Sequence, residues 1–307
     1  AQNEAVVRVY PIGCVTKGRL GNNLSDMHEL ARAGVVLYSD DGSPVYDSKL
    51  MRQALTYTRD LDIPISNHCE DLALSGEGVM HEGTVSTRLG LRGIPTAAEE
   101  VMASRDIALA EYTGGNLHLA HVSTAGTVEL LKRAKDKGIN VTAEVSPHHL
   151  MLTDEYVAKS GGTFSISSPL TLDAYDTSTK VYPPLRSSRD VEMVIEGLRQ
   201  GVIDCIATDH APHDQVSKSM PYDKASSGIS VLETGLGSLM SLVHSGQLQL
   251  AQLIEKMTLA PARILGETFL KFATLKPGTP ADIVLFDTHE EWVVDAEQFL
   301  SKGKNTP

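Results

Sequence analysis

A (β/α)8-type barrel of parallel strands is the fold this sequence predicts, and three observations predict it. Short β-branched runs alternate with amphipathic helical stretches, the connections between them are short, and carboxylates and histidines recur where the predicted strands end. An open doubly wound sheet shares the first two features. It gathers its chemistry at one switch point, however, whereas a barrel draws it from the C-terminal ends of many strands. Here Asp40-Asp41, His68, His121, His148-His149 and Asp209-His210 stand at five separate strand ends.

Taken in chain order, Val6 to Ile12 and Gly34 to Tyr38 read as the first two strands. Asp47 is a good N-cap for a helix starting at Ser48, because apolar residues follow at helical spacing. Ile63 to Asn67 and Asn116 to Ala120 are the next strands, and Gly126 to Lys137 is a helix that stops at Gly138. Asn140 to Val145 and Val202 to Ala207 complete the set of six, with a helix from Arg189 to Gln200 stopping at Gly201 between them. Lys159 to Leu172, rich in Ser, Gly and Thr, reads as a surface loop or insertion, and Thr208 to Ser230 as an active-site loop. Leu275 to Asp287 reads as a turn followed by a strand. The expected division is a barrel over residues 1–265 and a segment, 266–307, belonging to a small β domain.

With 307 residues, 41% of them apolar and 21% charged, the chain can bury one large core. Its net charge of −12 leaves no basic footprint for nucleic acid or anionic lipid, so the expected partners are small molecules or other proteins. Cys14, Cys69 and Cys205 are odd in number, widely spaced and free of a C-x-x-C motif, which fits a reducing cytoplasm better than a disulfide framework. No secretory signal pattern or membrane-spanning stretch is recognised, and a soluble cytoplasmic protein is expected.

Histidine and carboxylate together hold a borderline cation such as Zn²⁺, and a hydrolytic two-metal site needs a bridging carboxylate with histidines from separate strands. Asp41, His68, His121 and Asp209 supply such a set. Any one of them alone is more often a solvated carboxylate or a satisfied core histidine; four at strand ends are not.

The strings Val-Tyr-Pro-Ile-Gly, Ser-Asp-Asp-Gly-Ser-Pro-Val, His-Cys-Glu-Asp, His-Glu-Gly-Thr-Val-Ser-Thr-Arg-Leu-Gly, His-Val-Ser-Thr, Pro-Pro-Leu-Arg and Ala-Thr-Asp-His-Ala-Pro-His follow one another along the chain. In that order they resemble the bacterial-type (class I) dihydroorotases of the amidohydrolase superfamily. The resemblance implies a zinc-dependent enzyme of pyrimidine biosynthesis that reversibly closes N-carbamoyl-L-aspartate into L-dihydroorotate, with one or two zinc ions. It implies that Asp41 bridges the metals, that His68 and His121 complete the second one, and that Asp209 is both a ligand of the first and the proton carrier. Asp40 competes for the bridging role, but the 27 residues from Asp41 to His68 (68 minus 41) match the family's spacing. His213 resembles the histidine that contacts the substrate carboxylate, while His148 and His149 attract attention as ligands without matching the family's ligand positions. Dihydropyrimidinases and allantoinases fit less well, since they carry a carboxylated lysine where this chain has Ser39-Asp40-Asp41.

Several features depart from the family pattern. The family's His-x-His pair, its adjoining arginine and an asparagine, all carried on two earlier strands, have no counterpart here, and Asp26-Met27-His28 lies in a helical pattern and does not replace them. The barrel is therefore expected to lack its first two strands. Tyr182 stands where an asparagine orients the substrate, and Ala225 to Ile229, with Ser227 and Gly228, replaces a more apolar Pro-Phe pair of the substrate loop. Two alternatives accompany the main reading: a non-catalytic homologue acting as structural partner of aspartate carbamoyltransferase, and a hydrolase of another cyclic amide. The expected assembly is a homodimer or such a complex.

Overall fold

Residues 5–158 and 174–307 are described in the computed structural model of the protein. The loop or insertion expected over 159–172 lies outside them. Eight short strands are present among the described residues: β1 (Ile12–Gly13), β2 (Leu37–Tyr38), β3 (Ile65–Asn67), β4 (Met80–His81), β5 (Gly93–Ile94), β6 (Leu117–Leu119), β7 (Val141–Val145) and β8 (Cys205–Ile206). Six of them form one parallel sheet in the order β1-β2-β3-β6-β7-β8, with β4 and β5 paired separately, also in parallel. β2, β3, β6, β7 and β8 each lie within a strand expected from the sequence and are shorter than it, while β1 meets its expected strand only at Ile12. Among the described residues β1 and β8 are the two edges of the sheet and do not pair with each other.

Strand period decides which face each residue serves. Leu117 and Leu119 on β6 and Val141, Ala143 and Val145 on β7 are buried against the surrounding helices, and the intervening His118, Thr142 and Glu144 point to the opposite, inner face. The helices answer with apolar stripes. Asp47 accepts from Leu50 N at 2.7 Å to start Ser48–Arg59, whose Leu50, Met51, Ala54, Leu55 and Thr58 are all buried. Each fully buried Leu or Met of this kind stabilises the fold by about 1.5–3 kcal/mol. Ala97–Thr113, Ala125–Asp136 and Ser188–Gln200 pack beside it in chain order, the last ending at Gly201 in the left-handed conformation. The apolar face thus fixes the strands, and their C-terminal ends present the polar residues.

Two expectations fail. Val6 to Tyr10 precede the first strand and do not form it: Val6, Val7, Val9 and Tyr10 are exposed, and pairing begins only at Ile12. The turn near Pro277-Gly278 is present, but 281–287 is not a strand, and Ile283, Val284 and Leu285 are exposed. Both runs have β-propensity without a neighbouring backbone, among the described residues, to complete a ladder. Asp26 precedes the helix Met27–Arg32, as its pattern suggests, with His28 inside it. No helix among the described residues is long and apolar enough to cross a membrane.

Candidate metal centre

Asp41, His68 and His121 leave the ends of β2, β3 and β6 and converge. His68 Nδ1 lies 3.1 Å from His121 Nε2, and Asp41 Oδ1 lies 3.0 Å from His121 Nε2 and 3.6 Å from His68 Nδ1. Ligands about 2.1 Å from a tetrahedral zinc stand about 3.4 Å apart, so these spacings suit one ion. The donor set fits too: two imidazoles and a carboxylate, with both histidines buried and Asp41 half exposed. Burial acts to raise the Asp41 carboxyl, but hydrogen bonds from His121 and His68 outweigh it and hold it far below the carboxylate range. A divalent cation would satisfy the same three atoms in place of protons.

The Asp40–Asp41 ambiguity is a matter of direction. Asp40 is buried and turned backwards, accepting from Val15 N at 2.9 Å, from Thr16 N at 3.1 Å and from the Thr16 hydroxyl. It ties β2 to the segment after β1 and has no oxygen to offer at the cluster. Only Asp41 faces the histidines.

Outer partners orient His68. Its other nitrogen, Nε2, lies 3.3 Å from Glu70 Oε2, and Glu70's second oxygen accepts from the Tyr182 hydroxyl. Tyr182 also stacks on the His68 ring, with centroids 5.4 Å apart and planes 14° from parallel. A carboxylate behind a ligating histidine fixes its tautomer and raises its basicity. Tyr182, expected as a substrate-orienting position, thus sits against the cluster with its hydroxyl engaged by Glu70. Sequence reading assigned Glu70 no role, although two residues from His68 along an extended chain is one face.

Asp209 approaches the same space from β8. Burial, with His121 pulling it down and Asp41 and Glu144 adding repulsion, pushes its carboxyl up to about 6. It does not join the three-atom group, and its Oδ2 lies 3.6 Å from His148 Nε2. His121 (φ 33°) and Asp209 (φ 48°) both adopt the left-handed backbone that ordinary residues avoid, a strain that clusters at functional sites. His148 is buried with neither ring nitrogen hydrogen-bonded among the described residues, so it faces Asp209 as a neutral, unspent imidazole. His149 is spent: its Nδ1 lies 2.7 Å from Ser146 Oγ and its Nε2 3.0 Å from the Pro183 carbonyl, and burial pushes it down to about 3.

His213 lies at the loop expected to hold substrate, its Nε2 2.8 Å from the Ser227 carbonyl. Gly228 has φ +145°, and a Cβ there would stand 2.7 Å from Ala211 Cβ and 2.8 Å from His213 Nε2. Only glycine fits.

A second group, His118, Glu144 and Cys205, also has donor atoms within 4.8 Å of one another. Its chemistry differs. His118 is already held by Thr142 Oγ1 at 2.8 Å and Glu144 Oε2 at 3.1 Å, and burial beside Glu144 pushes the Cys205 thiol far up, so it keeps its proton near neutrality. His118 and Glu144 are thus already engaged with each other, and Cys205 offers no thiolate.

Residues 1–127 match the family described as Dihydro-orotase-like. The dihydroorotase of Thermoanaerobacter sp. (strain X514) is 50% identical over 308 positions, taking in 100% of this chain and 67% of its own. The chain belongs to the dihydroorotase family. The dihydroorotase of Pelotomaculum thermopropionicum is 51% identical over 305 positions, 99% of this chain and 67% of its own. Dihydroorotases are metal-dependent cyclic amidohydrolases acting on a small molecule, which agrees with the ligand types gathered here. Among solved structures, L-hydantoinase (dihydropyrimidinase) from Arthrobacter aurescens superimposes with a TM-score of 0.76 at 24% identity, over 94% of this chain and 63% of that one. That likeness shows a shared α/β barrel-type fold, as the strand pattern predicts. The far higher identity to dihydroorotases places the chain with them and not with the hydantoinases.

Proposed function

We propose that the protein interconverts N-carbamoyl-L-aspartate and L-dihydroorotate, with zinc held by Asp41, His68 and His121. The observation that carries this reading is the convergence of those three side chains at separations of 3.0–3.6 Å. When bound, the metal supplies Lewis acidity toward a carbonyl oxygen and activates water. Asp209, beside the cluster, moves the proton between the attacking or departing water and the amide nitrogen. Glu70 and Tyr182 hold the His68 ring, and His213 with the Ser227–Gly228 loop orients the substrate carboxylate.

The residues present hold the two metal positions unequally. Asp41, His68 and His121 would give one position three ligands, while Asp41 and Asp209 would give a second only two carboxylates, with the His148 ring facing Asp209. The reading is tested by following the ultraviolet absorbance of dihydroorotate during ring opening, with hydantoin and dihydrouracil as competing cyclic amides. Zinc-loaded chain extended by the family's His-x-His segment is expected to open dihydroorotate in preference to both. Preference for hydantoin by the extended protein would favour another cyclic amide, and an inactive, zinc-loaded extended protein would favour a scaffold.

A further inference from the structure

The loop that carries Ser227 and Gly228 is held by two buried lysines. Lys180 is 6% exposed and Lys218 8%, and among the described residues no carboxylate lies within ion-pair distance of either ammonium. Their donors go instead to backbone carbonyls. Lys180 Nζ donates to Ala225 O at 2.7 Å and Asp223 O at 3.2 Å, and Lys218 Nζ donates to Ser226 O at 2.9 Å and Gly228 O at 3.1 Å. Four carbonyls of one short segment are thus turned toward two cations. Burying a charge costs free energy unless its donors are satisfied, so this arrangement persists only because the loop supplies the acceptors.

Backbone contacts carry the constraint to the metal centre. Gly228 N donates to Lys180 O at 2.8 Å, which ties the loop to the segment after the turn Thr177–Thr179 that leads, two residues on, to Tyr182 against His68. Ala211 N donates to Ile229 O at 3.0 Å, tying the loop's far end to the segment that follows Asp209. Turning the Ser226 carbonyl toward Lys218 directs the Ser227 N–H the opposite way across the trans peptide plane.

We propose that Lys180 and Lys218 are positioning residues, two ammonium groups that staple residues 223–228 through their carbonyl oxygens and so fix Ser227 and Gly228 beside His213. The proposal rests on the reading that this loop holds the substrate. Burial and the neighbouring Lys180 push Lys218 down to about 8, so it still carries its charge at neutral pH.

Zinc-loaded protein, in the extended form, is compared with its K218M, K218Q, K180M and K224M variants by backbone hydrogen exchange and by calorimetric titration with dihydroorotate. Lys224 is the control, an exposed lysine of the same loop. K218M and K180M are expected to speed exchange across 223–228 and to weaken dihydroorotate binding about tenfold, with bound zinc unchanged and K224M like the parent. K218Q, which keeps one donor group, is expected to fall between, and it serves if K218M does not fold. Native-like exchange in K218M and K180M, or equal loosening by K224M, would overturn the staple. Faster exchange with unchanged dihydroorotate affinity would overturn its positioning role. Failure of the unsubstituted protein to bind dihydroorotate would count against the proposed reaction, and the exchange data alone would then decide the staple.

Discussion

Asp41→Asn is expected to strip zinc from the protein, while Asp40→Asn weakens the fold and leaves the zinc in place. Asparagine at 41 keeps the size of the side chain and loses the anionic donor between His68 and His121, whose nitrogens lie 3.6 and 3.0 Å from Asp41 Oδ1. A lost ligand should reduce affinity by at least about 100-fold, because changes one shell further out already cost about 10–100-fold. Zinc retained after dialysis, measured by atomic emission, gives the number. At position 40 the carboxylate receives two backbone N–H groups and the Thr16 hydroxyl in a buried setting. An amide there turns one acceptor into a donor facing donors. The expected cost is about 3 kcal/mol of unfolding free energy, read from urea midpoints. Loss of zinc in the Asp40 variant with full retention in the Asp41 variant would invert the assignment.

Asp209→Asn is expected to lower the ring-opening rate of the extended protein by about 10²–10⁴-fold, the range for a general acid–base residue. Its carboxyl, raised to about 6 by desolvation against the opposing pull of His121, is partly buried beside the cluster and not one of the three converging atoms. Zinc at the Asp41–His68–His121 position should therefore survive the substitution. Kinetics with zinc content measured on the same sample separates the two effects. A variant with zinc bound and an undiminished rate would remove Asp209 from proton transfer.

Most of the sheet was legible because its strands are β-branched runs bounded by turn residues, and five of the six expected runs contain an observed strand. β4 and β5 were not, since Met80–His81 and Gly93–Ile94 lie in no β-branched run that marks a strand. Val6 to Tyr10 and 281–287 show the converse, propensity without a ladder partner. At the site, residue type and strand-end position singled out Asp41, His68 and His121, but adjacent carboxylates at 40 and 41 are equivalent by type; the spacing to His68 favoured Asp41, and the physical reason is that Val15 and Thr16 hold Asp40. Glu70 was within reach of a two-residue periodicity argument. Lys180 and Lys218 were not, because their partners are backbone carbonyls up to 45 residues away, and backbone acceptors leave no mark in a sequence. His118 and His121 are three apart and look alike as residues, yet one is spent on Thr142 and Glu144 and the other faces Asp41.

Anomalous diffraction at the zinc edge from crystals of the zinc-loaded protein tests the metal centre most directly. The account predicts a peak about 2.0–2.2 Å from Asp41 Oδ1, His68 Nδ1 and His121 Nε2 together. A peak among His118, Glu144 and Cys205 instead, or no peak within reach of Asp41, would contradict it.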